Sequence, residues 1–278
     1  MKVFLVHINP MIGGFSMYFY SYFFIFFLKN INMNIKNFNE ELTNILHFQG
    51  KSDIMTKMFT RQVEDTMGKK IEGFPDNLTV ITTFTNKDAS PLVYQLENNK
   101  IPYINSYKNE YGEFIMTDKV KYILNALKEV KTEMVLILDG YDVLIQNFDK
   151  LIENFKLYNT RMLYNASKNN YPVVVLDKMP FRDYIGQFNC FNAGCAIGYT
   201  KDFIDFYSDA YETMNKPGFF NPYGSEQFIL RTVFAKYSEN MLKENPYICI
   251  DYGCKVFLAL SQACIIPRDK DQKIVNAV

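Results

Sequence analysis

Residues 133–145 read EMVLILDGYDVLI. The run from Met134 to Leu138 shows no alternation of polar and apolar residues, so a strand formed there has to be covered on both faces. Helix-like patterns flank it, and this combination reads as a buried parallel strand in an α/β fold. The run ends in Asp139, with Asp142 three residues later across a Gly-containing turn. In open α/β sheets ligands bind outside the carboxyl ends of the strands. Two carboxylates at this spacing can converge on one divalent cation, and oxygen ligands suit Mg2+ or Mn2+. Such a cation would neutralise a diphosphate and stabilise it as a leaving group. The plainer alternative is a pair of solvent-facing aspartates in a strand-to-loop turn.

The rest of the chain supports the alternation. NLTVITTF (77–84) is a β-rich run behind a Pro-Asp-Asn turn signal. Ser90-Pro91 opens a helix with a capping residue followed by proline at the first helical position. IPYIN (101–105) reads as a strand. Thr117 is placed to cap a helix reaching about Lys131, with Val120, Ile123, Leu124, Leu127 and Val130 on one face. FDKLIENF reads as a helix, RMLYNAS and YPVVVLD as strands, and KDFIDFYSDAYETM as a helix capped by Thr200. SEQFILRTVFAKYSENML reads as a further helix. The expected fold class is therefore α/β with a mixed, mainly parallel central sheet. Residues 38–66 read as an amphipathic helix or a loose linker.

Composition narrows the chemistry. Lys plus Arg and Asp plus Glu both number 30, which disfavours a globally basic nucleic-acid binder. Of 278 residues only His7 and His47 are histidines, so chemistry beyond residue 47 has to run without a histidine base. Five cysteines, with C-x4-C spacing at 190/195 and 249/254, lie in apolar runs and read as buried reduced thiols in a reducing compartment, with Cys264 the odd one. No charged residue occurs between Val3 and Leu28, a length that fits a membrane anchor. A leader read from an early start, with the true start at Met55, Met58 or Met67, accounts for that segment equally well. The expected organisation is an apolar leader or anchor plus linker over 1–66 and a catalytic domain over 76–278. The expected location is cytoplasmic, or membrane-anchored through residues 3–28.

Two competing motifs fail. Haloacid-dehalogenase-type phosphatases place their second aspartate two residues after the first, where this chain has Tyr141. An EF-hand loop needs regular oxygen ligands that VLIQN does not supply.

From about Leu78 onward the ordered series of motifs resembles the glycosyltransferase domain of lysyl hydroxylases and the related procollagen galactosyltransferases, which are GT-A enzymes using a UDP-sugar and Mn2+. VITTFT (80–85) is similar to the family's first strand and LDGYDVLI to its DSYDV metal motif. MLYNAS…YP is similar to its next strand and loop, FNAGCAIGY (191–199) to LNSGGFIG, GSEQFILRTVF (224–234) to a DDQ-containing helix start, and IDYGCKVFLAL (250–260) to LDHxxxIFQNL. The resemblance implies a Rossmann-like nucleotide-sugar-binding fold. It implies transfer of galactose or glucose from UDP-galactose or UDP-glucose to a hydroxyl of a protein or glycan acceptor. It assigns Asp139 and Asp142 to the metal, and Thr83, Thr85, Lys119, Asp139 and Tyr141 to the nucleotide-sugar. Asn192 and Glu226 then face the transferred sugar or the acceptor, with Glu226 as base.

The departures are specific. Ser225-Glu226 stands where the family has aspartates before the glutamine, and Tyr171 stands where it has tryptophan. The family's third metal ligand is a histidine in an HGNG-like segment after a short strand. Here KIVNAV resembles that strand and the sequence stops. The expectation is thus a hexosyltransferase lacking its third ligand. The alternatives are a remnant that binds nucleotide-sugar without turnover, or a membrane-associated non-enzyme.

Overall fold

The computed structural model describes residues 43–49, 53–168, 188, 190–237 and 245–260. The apolar run 3–28, the YPVVVLD strand and the terminal KIVNAV lie outside the described residues. In chain order the strands and α-helices are β1 (Ile45–Phe48), α1 (Asp53–Thr66), β2 (Leu78–Thr83), α2 (Pro91–Asn98), β3 (Tyr103–Asn105), α3 (Lys119–Glu129), β4 (Met134–Asp139) and β5 (Val143–Ile145). There follow α4 (Leu151–Lys156), β6 (Met162–Ser167), β7 (Cys190–Tyr199), α5 (Thr200–Met214), α6 (Glu226–Tyr237), β8 (Ile248–Ile250) and β9 (Phe257–Leu260).

Six strands form the central sheet in the order β3-β2-β4-β7-β6-β8. β2 runs parallel to β3 and β4, and β6 runs parallel to β8. Only β7 is reversed, pairing antiparallel with both β4 and β6. The mixed, mainly parallel α/β fold expected from the sequence is the one observed. Residues 134–138 are all buried, as their unbroken apolar character requires. Full burial of each such aliphatic side chain stabilises by about 1.5–3 kcal/mol.

Helix starts follow partly from the expected caps. Ser90 Oγ accepts the Val93 N–H at 3.1 Å with Pro91 in the first turn, as anticipated. On α3, Val120, Ile123, Leu124 and Leu127 are buried on the expected face. Thr117 does not cap it; the helix starts at Lys119, behind Asp118, and Asp118 makes no capping bond with its side chain. Thr200 is not a cap either. It is the first residue of α5, and its hydroxyl donates to the Thr132 carbonyl at 2.9 Å, tying α5 to the segment before β4.

A second sheet of three strands has the order β5-β1-β9. β1 lies antiparallel to β5, with His47 opposite Val143, and parallel to β9, with His47 opposite Ala259. This corrects the reading of 38–66 as helix or loose linker, since residues 45–48 are a fully buried strand at the centre of a sheet and only residues 53–66 are helical. Four apolar-rich residues between polar neighbours are too few to show a period, whereas β5 and β9 supply ladder partners on both sides. Among the described residues no helix is long and apolar enough to cross a membrane.

Candidate metal centre

The two sheets meet at the turn of residues 140–142. Asp139 ends β4 in the large sheet, and Asp142 immediately precedes β5 in the small one. Gly140 is required at this joint, because a Cβ there would lie 2.2 Å from the Thr83 carbonyl oxygen on the neighbouring strand. The Asp142 carbonyl accepts the Phe48 N–H at 2.8 Å, which fixes β1 against the turn.

That pairing brings His47 to the aspartates. His47 Nε2 lies 3.7 Å from Asp139 Oδ2 and 3.5 Å from Asp142 Oδ2. One donor atom from each of the three residues falls within 4.8 Å of the others, a separation that one divalent cation can bridge. A histidine therefore stands beside the two aspartates, delivered by β1 from well ahead of the segment in which the resemblance places its third ligand. Sequence reasoning missed it because the segment around His47 had been set apart as linker. The available signal was a polar residue embedded in the apolar run ILHF.

β7 makes the room. The β6–β7 register jumps between Tyr164↔Ala196 and Asn165↔Asn192, leaving Ala193, Gly194 and Cys195 without Cα partners on β6. A Cβ on Gly194 would lie 2.2 Å from His47 Cε1 and 2.7 Å from Asp139 Oδ2. Glycine at 194 thus leaves the space that the histidine and aspartate side chains fill.

Lys119, at the start of α3, is buried and bridges two carboxylates. Its Nζ donates to Asp139 Oδ1 and, at 3.1 Å, to Glu226 Oε1. Asp139 Oδ2 is left facing His47. Burial pushes the Lys119 ammonium down, but Asp139 and Glu226 outweigh it and hold it above its ordinary value. Burial likewise pushes His47 down, and the charges of Asp142 and Asp139 more than reverse that. Burial raises Asp139 in spite of Lys119, whereas at Asp142 the facing His47 overcomes burial and holds the carboxyl low. Three carboxylates against one ammonium leave two negative charges when the imidazole is neutral, which matches the charge of one divalent ion.

Tyr141 projects outward and its hydroxyl accepts the backbone N–H groups of Thr85 at 2.8 Å and Asn86 at 2.9 Å, with Thr85 Oγ1 at 2.9 Å. Tyr141 and Thr85 thus meet at the carboxyl end of β2. Thr83 is buried, its hydroxyl 2.7 Å from that of Ser106. Asn192 is buried too, and its Oδ1 accepts the Gly194 N–H at 2.9 Å, so it holds the bulge of β7. Glu226 is brought into the cluster through Lys119 and is also buried. Asp251 lies apart: its carboxylate accepts the N–H groups of Lys255, Val256 and Phe257 and the Tyr158 hydroxyl, organising the turn before β9. Cys190, Cys195 and Cys249 are buried and reduced, and burial holds the Cys195 thiol far above its ordinary value, consistent with inert core thiols.

No family model matches the sequence, and no curated protein matches it either. Solved structures of glucosyl-3-phosphoglycerate synthase from Mycobacterium tuberculosis are similar in three dimensions. The complex with phosphoglyceric acid aligns at 12% identity and TM-score 0.34 over 79% of this chain and 78% of that one. The complex with Mn2+, UDP-glucose and phosphoglyceric acid aligns at 11% identity and TM-score 0.34 over 80% and 78%. The complex with Mg2+ and UDP aligns at 10% identity and TM-score 0.35 over 79% and 77%.

Proposed function

We propose that the chain is a divalent-metal-dependent glycosyltransferase of GT-A type, moving galactose or glucose from a UDP-sugar to an acceptor hydroxyl. The observation that carries this reading is the convergence of His47 Nε2, Asp139 Oδ2 and Asp142 Oδ2 at the carboxyl edge of a mainly parallel sheet. The ordered motif resemblance from Leu78 onward supports the same reading. Nitrogen and carboxylate donors suit Mn2+, and Mg2+ is accepted less readily by a site containing imidazole. Bound there, the cation would supply charge neutralisation for a departing diphosphate.

The chain's own residues divide the remaining work. Lys119 holds Asp139 by one oxygen so that the other is presented to the ligand side. Tyr141 fixes the backbone of Thr85 and Asn86, shaping the loop at which the nucleotide would sit. Asn192 and Gly194 keep the bulge of β7 clear for the histidine. Glu226 would lie toward the transferred sugar or a protein or glycan acceptor.

Titration calorimetry of UDP with Mn2+ present tests the assignment. Asp142→Ala and His47→Ala should each weaken metal-dependent UDP binding by at least about tenfold, the lower end of losses seen when groups supporting a metal site are removed. Unchanged affinity in both variants would refute the metal centre. A second reading, nucleotide-sugar binding without transfer, is favoured by one contact: Glu226 Oε1 is already engaged by the Lys119 ammonium. Release of UDP from UDP-glucose or UDP-galactose on adding acceptor separates the two readings.

A further inference from the structure

Asn165 is wholly buried, next to the bulge of β7 and directly behind His47. Its Nδ2 lies 3.0 Å from His47 Nδ1 and makes a longer contact of 3.4 Å with Asn192 Oδ1. Its Oδ1 has no hydrogen-bond partner among the described residues. A buried amide oxygen left unpaired is destabilising, and this one sits on the very side chain that touches the candidate ligand.

Which end of the amide faces the ring selects the tautomer. With Nδ2 donating, His47 Nδ1 is an acceptor, and a neutral ring carries its proton on Nε2, toward Asp139 and Asp142. That form cannot ligate a cation through Nε2, because the lone pair needed there is occupied by the proton. Ligation through Nε2 needs the proton on Nδ1, and a proton on Nδ1 needs an acceptor opposite. A half-turn of the Asn165 amide supplies that acceptor. It puts the orphaned oxygen against Nδ1–H, replaces the 3.4 Å contact to Asn192 Oδ1 by an oxygen–oxygen approach, and moves the amide N–H groups to the place the oxygen leaves.

Resting on the metal-centre reading above, we propose that Asn165 is a positioning residue with two settings. Its amide nitrogen faces His47 in the metal-free protein, and its amide oxygen faces His47 when a divalent cation is held. Asn165 touches neither cation nor substrate; it acts through the imidazole. The site is thereby built to exist without metal, the protonated Nε2 pointing at the carboxylates, and to accept metal by one side-chain rotation and a proton relocation within the ring.

The test uses the full chain at fixed pH. In protein labelled with 15N-histidine, long-range 1H–15N spectra of His47 should report the Nε2–H tautomer without metal. On adding Zn2+, a diamagnetic probe, they should report the Nδ1–H tautomer. Calorimetry with Mn2+ should show Asn165→Leu binding about 10- to 100-fold more weakly than wild type. Asn165→Asp, whose carboxylate accepts from Nδ1–H in either state, should bind at least as tightly as wild type and show the Nδ1–H tautomer without metal. The inference is overturned if His47 keeps its proton on Nε2 when Zn2+ is bound, if Asn165→Leu binds Mn2+ within twofold of wild type, or if Asn165→Asp is as weak as Asn165→Leu. Failure of the metal centre itself reads differently: wild type then takes up no Mn2+, or His47→Ala binds as wild type does.

Discussion

A methyl group on Gly194 has nowhere to go. It would collide with the imidazole of His47 and the free oxygen of Asp139, and both of those are held from behind, one by Asn165 and the other by Lys119. Gly194→Ala should therefore displace the side chains of His47 and Asp139 instead of being absorbed by the core. The expected cost is about 1–3 kcal/mol of stability, typical of overpacking, measured by denaturant unfolding, together with a loss of Mn2+ affinity of at least tenfold by calorimetry. A Gly194→Ala protein with wild-type affinity would mean that His47 does not approach Asp139 this closely. Lys119→Met removes the ammonium that touches both Asp139 and Glu226. Breaking a buried ion pair by deleting one partner costs about 3–5 kcal/mol, so its thermal unfolding midpoint should fall sharply, and added Mn2+ should recover part of the loss.

At the scale of elements, β1 is the piece on which the centre depends. It pairs with β5 on one side and β9 on the other and delivers His47 between them. A chain begun at Met55 would lack this strand. It should leave the ladder edges of β5 and β9 open, lower the unfolding midpoint, and bind Mn2+ no better than His47→Ala. Wild-type affinity in that truncated chain would remove His47 from the site. β5 is also held from the opposite side, where Gln95 on α2 accepts the Ile145 N–H at 3.0 Å and donates to its carbonyl at 3.1 Å. Gln95→Leu leaves both backbone groups buried and unpaired, for an expected loss of about 2–4 kcal/mol in denaturant unfolding.

β1 also marks where the sequence ceased to be readable. β4 was legible because five consecutive apolar residues ending in aspartate admit few structures, and Ser90-Pro91 was legible because capping is local. The pair Asp139 and Asp142 follows from the same local logic. His47 does not, because its role is created by two ladders whose partners lie about 100 and 210 residues away along the chain, and short segments carry no trace of such pairing. The jump in β7 register was invisible for a similar reason: the glycine in FNAGCAIG signals a close approach, but which atoms approach is decided by another sheet. Thr117 and Thr200 were misread as caps since a threonine near a helix start satisfies the pattern whether or not its hydroxyl turns toward the helix.

For the molecule as a whole, the cluster of Asp139, Asp142 and Glu226 against Lys119 concentrates negative charge where the two sheets adjoin. A cation bound only by the folded state raises its stability by mass action, about 2.7 kcal/mol at a hundredfold excess over Kd. For a domain of this size about 2–4 °C accompanies each kcal/mol. Scanning calorimetry should therefore show saturating Mn2+ raising the unfolding midpoint by about 5–10 °C. EDTA should reverse the shift, and Asp142→Ala should show almost none. A midpoint indifferent to Mn2+ would speak against a site between the sheets.

The parallel pairing of β1 with β9 has one further consequence. Two neighbouring strands that run the same way are joined in space without regard to which was made first, so the centre keeps no record of the end of the chain from which its histidine arrives. A circularly permuted gene, with the codons for residues 43–49 moved behind a linker after residue 278, should yield a protein that assembles the same three donors. In such a protein the histidine would change its place along the gene and keep its place in space.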